Sequence, residues 1–267
     1  MTNEPGQPGF IPPKTLIVPS RDLAFAAAFG WLRAGWADFR NALSVSLIYG
    51  FLVFLVSIAV AWLSWKLGGF VLLISALSGF VFVAPMVAFG LYSVSRQLCE
   101  GKRPNLGHTI QAIKRPLGNA MVFTLVLLVI FLLWARAGMM VQVFFPYGQD
   151  PEWTHVVTFL LIGSAVGSIF AAASFSASVF SLPMLANREV DVITAVVSSI
   201  NAVLRNKPAM FVWAILLSVL TLIGFLTAGL GLIIIIPWLA YATWHGYREA
   251  LDVSEWPRLP QSNQNQT

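Results

Sequence analysis

The side chains able to do chemistry are few and scattered. Three histidines, His108, His155 and His245, and a single cysteine, Cys99, are the only imidazole and thiol groups in 267 residues. The histidines fall in three separate regions, so a haem or copper site built on several of them is not available, and one cysteine makes neither an intramolecular disulfide nor a CxxC centre. Asp150, Glu152 and His155 have a spacing that could offer metal ligands. Nothing else converges on them, and the segment reads as an interfacial loop, with Phe144, Phe145, Pro146, Tyr147 and Trp153 as headgroup anchors. Tyr241, His245 and Glu249 recur every four residues and therefore share a helical stripe. Such a stripe could relay a proton. The plainer reading, which we adopt, is a set of hydrogen bonds holding a helix in register at the membrane surface. The chain has no Walker loop, dinucleotide-binding glycine motif, HExxH or GxSxG. We expect no catalytic residue, no cofactor-binding residue, no metal and no enzymatic activity.

The elements that must position these groups are set by composition. Hydrophobic residues make up 58% and charged residues 10%, with mean hydropathy +0.78, against about 45–50% and about 25% in soluble domains. So little charge cannot cover a soluble globule of this size, which leaves lipid to face most of the surface. A transmembrane helix needs about 20 apolar residues. Six such runs occur: Ala42 to Trp65, Gly69 to Ser95, Leu117 to Ala135, Thr154 to Ser181, Ala209 to Leu226 and Leu230 to Tyr247. The first lacks a short apolar core followed by a small-residue cleavage site, so we expect a retained span and not a signal peptide. Residues 1–19, with five Pro and two Gly, and residues 254–267, ending QSNQNQT, read as disordered tails around one membrane domain, 20–253.

Fourteen of the sixteen Lys and Arg residues fall on one side of these spans; only Lys66 and Arg136 fall on the other. That asymmetry predicts a six-span helical protein with both termini in the cytoplasm. Trp62, Trp65, Trp134, Trp153, Trp213 and Trp244 stand near span ends, as interfacial anchors do. No Asp, Glu, Lys or Arg lies centrally in any span, which counts against an ion-driven pump. Lys66 and Arg136 are balanced by Asp150 and Glu152, so the whole net charge of +5 is cytoplasmic. Spread between hydrophobic helices, it suits anionic lipid, at about 1 kcal/mol per basic residue near the surface, and not nucleic acid.

A threefold pattern runs through the chain, in units of about 20–101, 102–186 and 187–253. Each opens with an amphipathic helix, capped by Ser20, Asn105 or Asn187, that is expected to lie in the interface. The apolar faces are Phe25, Phe29, Leu32, Trp36 and Phe39; Leu106, Ile110, Ile113 and Leu117; and Ile193, Val196, Val197, Ile200 and Leu204. Each unit's returning segment carries a proline, Pro85, Pro183 or Pro237, a candidate kink because proline removes a helical hydrogen bond. Aligning Pro85 with Pro237 matches Phe89 to Tyr241, Tyr92 to Trp244 and Arg96 to Arg248. In the fourth span, twelve of the sixteen residues from Gly163 to Ser178 are small. Gly163, Gly167 and Ala171 form a candidate packing seam, while serines 164, 168, 174, 176 and 178 leave open a hydroxyl-lined pathway.

Two stretches carry a resemblance. Trp31 to Gly50, WLRAGWADFRNALSVSLIYG, and Leu182 to Arg248, with LPML around Pro183, Arg205-Asn206 and ATWHGYR from Ala242 to Arg248, resemble the bacterial integral membrane proteins of the domain of unknown function 2189 family. The resemblance spans about residues 16–252. It implies a multi-pass protein of the bacterial inner membrane without an assigned activity. Some relatives have carried oxidase-subunit labels, which three dispersed histidines do not support. The leading reading is a non-enzymatic membrane protein acting through membrane lipids, including anionic lipids at the cytoplasmic face, or through a protein partner of unknown kind. The alternative is a passive or facilitated transporter of an apolar or lipid-like solute.

Overall fold

The computed structural model describes residues 16–102, 104, 117–144 and 153–259. Backbone alone is described for parts of 70–86 and 153–160 and for 117, 120 and 141–144. Regular structure among the described residues is helical, apart from isolated antiparallel bridges of Ser20 with Leu251 and Arg188 with Arg258. Helices satisfy their own backbone polar groups, which apolar surroundings require.

The first helix, α1, is Ala27–Asn41. A helical run from Leu43 to Cys99 follows, broken at Gly69, whose φ of 61° and ψ of −146° suit glycine almost alone. The Tyr49 hydroxyl donates to the Val87 carbonyl, 38 residues away. In an unbroken helix that separation would be about 57 Å, so the chain reverses at Gly69 into an antiparallel pair, α2, Leu43–Gly69, and α3, residues 70–99. Then come α4, Leu117–Phe144; α5, Trp153–Ser178; α6, Ser181–Asn187; α7, Val192–Arg205; α8, Lys207–Leu226; and α9, Leu232–Ala250.

Among the described residues, four segments are long and apolar enough to cross a membrane: Leu43–Gly69, Met121–Met140, Leu161–Asn187 and Lys207–Leu226. They correspond to four of the six expected runs. The other two, Gly69 to Ser95 and Leu230 to Tyr247, form α3 and α9 and are not among the four. In α9 the reason is composition, because its apolar stretch gives way to His245, Arg248 and Glu249 in the last turns.

The core forms around α9, of whose nineteen residues thirteen are buried. Two glycines let neighbours approach it. A Cβ on Gly35 of α1 would come within 2.5 Å of the Ala242 backbone nitrogen, and one on Gly50 of α2 would overlap the Ile233 carbonyl. Trp31 inserts from α1, edge-on to Trp213 and Phe180.

The helices α1 and α7 turn small and polar residues inward beside a few large apolar ones, Trp31 and Phe39 on α1 and Val192 and Val203 on α7. Ala28, Gly35 and Asp38 are buried on α1, whereas Phe25 (65% exposed), Phe29 and Trp36 face outward; Phe39, expected with them, turns into the core. On α7, Thr194, Ala195, Ser198, Ser199 and Ala202 pack inward while Ile193 and Leu204 are exposed. The expected caps differ. Ser20 pairs with Leu251 ahead of α1, and Asn187 ends α6; α7 is capped by Asp191, which accepts the Thr194 N–H at 2.9 Å. A carboxylate with two local donors holds a helix start better than an amide already engaged elsewhere. Asn105 and the helix expected after it lie outside the described residues.

The inner ends of both expected tails are packed. Val18 is buried and donates its N–H to the Ser198 hydroxyl, Asp252 donates its N–H to the Pro19 carbonyl, and Trp256 is buried. Leu259 donates its N–H to the Asn187 carbonyl. Val18 and Trp256 thus find buried seats in the stretches expected as tails, while Leu16 and Ile17 stay exposed. Residues 1–15 and 260–267 lie outside the described residues.

Candidate functional site

Each member of the Tyr241, His245, Glu249 stripe meets a partner on a neighbouring helix. The Tyr241 hydroxyl is 2.8 Å from Ser46 Oγ on α2. His245 Nε2 is 2.9 Å from Asp38 Oδ2 on α1, and Ser95 of α3 donates to the same oxygen at 2.8 Å. Glu249 accepts the Trp31 indole N–H at 2.8 Å. The stripe thus joins α9 to α1, α2 and α3. Asp38, only 9% exposed, is its centre, and the sequence offered one signal for it: an acidic residue on the same face as Trp31 and Gly35, the face that packs.

Beyond this stripe, at the end of the bundle where the chain enters and leaves, lies a cavity of about 300 Å³. Its lining includes Arg21, Arg96, Arg188, Arg248, Arg258 and Trp244. Two acids, Glu100 and Asp252, also line it, and both are engaged: Glu100 lies 3.2 Å from Lys102, and Asp252 lies 3.3 Å from Arg21. Among the described residues, Arg96, Arg188, Arg248 and Arg258 have no carboxylate within ion-pair distance. Arg96 donates to the Ala186 carbonyl, Arg188 to the Trp256 carbonyl and Arg248 to Cys99 Sγ at 3.0 Å. The buried Nε groups of Arg96 and Arg188 and the Trp244 indole N–H have no partner among the described residues. Burial lowers the Arg96 guanidinium from its usual range, opposed by Glu100 and reinforced by Arg258. Arg188 is likewise lowered by burial, with Tyr247 opposing and Arg258 adding to the effect. The arrangement concentrates cations and spare donors around one space. Sequence alignment had paired Arg96 with Arg248, but it gave no sign that Arg188 and Arg258 join them.

The other expected positions are dispersed. Pro237 sits within α9, which continues on both sides. Pro183 is in the first turn of the separate helix α6, where a missing N–H costs least. Pro85 lies in helical backbone of α3, and its side chain lies outside the described residues. At the expected seam of Gly163, Gly167 and Ala171, among the described residues, a Cβ on Gly163 would meet nothing within 4 Å and one on Gly167 would meet Trp134 at 3.8 Å. Ser168 and Ser178 donate to carbonyls of their own helix. Trp213 and Trp244 are buried in the core and are not interfacial anchors, whereas Trp62 and Trp65 are exposed. Asp150 and Glu152 lie outside the described residues, as does the His155 side chain. Among the described residues no three His, Cys, Asp or Glu side chains gather as metal ligands would.

No curated protein and no solved structure matches the chain. A family model does, over residues 71–187, which lie between the two stretches that carried the resemblance and overlap them only from Leu182 to Asn187. The chain is an integral membrane protein with multiple apolar helices that resembles the family described as predicted integral membrane protein (DUF2189), whose function is unknown.

Proposed function

We propose that this protein is a non-enzymatic, six-span component of a bacterial inner membrane, with both termini cytoplasmic, that acts through contacts with lipid. The observation that carries the reading is the orientation of α1 and α7. Each buries one face, with Trp31 and Phe39 of α1 and Val192 and Val203 of α7 packed beside small and polar residues, and leaves other bulky apolar residues uncovered, Phe29 and Trp36 on α1 with Phe25 just ahead of it, and Ile193 and Leu204 on α7. In water that arrangement would be unstable; at a bilayer interface it seats each helix in the headgroup and acyl boundary. Buried hydroxyls of α7 are satisfied at the same time: Ser198 accepts the Val18 N–H and Ser199 accepts the Phe180 N–H.

The reading is tested with an environment-sensitive fluorophore on single cysteines in a Cys99→Ser background, reconstituted with brominated lipids. Positions 29 and 193 are expected to be quenched strongly, and position 22, on the exposed polar Asp22, weakly. Equal quenching at all three would overturn the interfacial reading.

A further inference from the structure

The arginine-lined cavity is poorly explained as a structural feature alone. A buried N–H without an acceptor is costly, and three of them belong to side chains around this space: Arg96 Nε, Arg188 Nε and Trp244 Nε1. Trp244 is 2% exposed. Five guanidinium groups share the lining with two carboxylates, each of which already holds a cation. Like charges at close range repel, and apolar filling would have been the more stable way to close the space.

An occupant that resolves both problems must be anionic and must carry several acceptor oxygens in a compact group. A phosphate fits, because its oxygens accept from the planar donor fork of arginine in pairs, and a space of about 300 Å³ lies at the small end of ligand pockets. A phosphate monoester gathers three acceptor oxygens and nearly two charges in one compact group, where a carboxylate has two oxygens and one charge. The lining comes from four separate parts of the chain, Arg21 before α1, Arg96 near the end of α3, Arg188 after α6 and Arg248 near the end of α9. An anion there would tie together segments that otherwise repel.

We propose that this cavity binds a phosphate-bearing anion, either a phospholipid headgroup reaching in from the bilayer or a free phosphorylated solute. Only the headgroup source rests on the lipid-contact reading above.

The test uses the whole chain. In zwitterionic detergent, thermal unfolding is followed against inorganic phosphate, with chloride at equal ionic strength as the control. In parallel, the protein is placed in nanodiscs of phosphatidylcholine with or without phosphatidylglycerol, and native mass spectrometry reads the lipid retained. Stabilisation by phosphate assigns a free phosphorylated solute; retention of phosphatidylglycerol without a phosphate response assigns the headgroup. In either case Arg96→Gln with Arg188→Gln should weaken the response about tenfold or more, the loss expected when charge-assisted hydrogen bonds are removed. Because those two side chains also hold backbone carbonyls, Arg248→Gln with Arg258→Gln supplies a second variant in which those bonds persist, and it should weaken the same response. A wild-type protein that answers neither probe beyond the chloride control, or responses equal in wild type and both double variants, overturns the proposal. If that happens while fluorophores at positions 29 and 193 are still quenched by brominated lipid, the cavity proposal fails and the interfacial reading stands.

Discussion

Removing the Asp38 carboxylate strips an acceptor from two donors at once. His245 and Ser95 both address Asp38 Oδ2, so Asp38→Ala is expected to lower stability by about 2–4 kcal/mol. Asp38→Asn, which keeps one oxygen, should cost less; thermal unfolding in detergent measures both. Equal losses would show that the site is sensitive to charge and not to the acceptor. Asp191 makes a different prediction. Burial raises its carboxyl, but bonds from the Thr194 hydroxyl and N–H outweigh that and hold it below the usual range. The native state therefore favours the ionised form. Its stabilising contribution is complete above the ordinary carboxyl range and is lost as pH falls toward the lowered native value. Asp191→Asn should remove that part of the acid sensitivity, read as the difference between the two stability-against-pH curves.

At the scale of elements, glycines separate helix contacts that exist within one chain from those that do not. Gly50→Ala pushes a methyl group into the Ile233 carbonyl and should destabilise the protein by about 1–3 kcal/mol. Gly163→Ala meets nothing among the described residues, so in a monomer it should not destabilise and should gain about 0.5–1 kcal/mol from helix propensity. Replacing Gly69 with Ala places a side chain at φ 61° and ψ −146°, at a cost of about 1–3 kcal/mol. Much of this level was legible in the sequence. Apolar run length located four segments that the structure also finds apolar and long, and the helical stripe Tyr241, His245, Glu249 was visible from spacing alone. Its partners were not visible, because Asp38 is 207 residues from His245 and no local periodicity encodes that meeting. The cavity was hidden for the same reason. Its arginines look like ordinary flank charges until packing gathers them. Capping was misjudged where tertiary pairing competed, as at Ser20, which a bridge to Leu251 draws away from a helix start.

For the molecule as a whole, the single cysteine reports orientation directly. Cys99 is exposed, at the end of α3 beside Arg248. With both termini cytoplasmic, a membrane-impermeant maleimide should label Cys99 in inverted vesicles and not in intact cells; the reverse pattern would overturn the proposed topology.

The two ends of the described chain are clasped together: Arg21 donates its N–H to the Ala250 carbonyl, and Asp252 to the Pro19 carbonyl. A ribosome delivers these partners in order, some 230 residues apart. The α2 and α3 pair can form soon after it emerges, but Trp31 and Asp38 must wait for Glu249 and His245. Until the last helix arrives, α1 has only part of its seat, against Phe180 and Trp213, and its exposed aromatic face suits it to the membrane surface. The contacts that join α1 to α9 therefore span almost the whole described chain and are of the slow-forming, non-local kind.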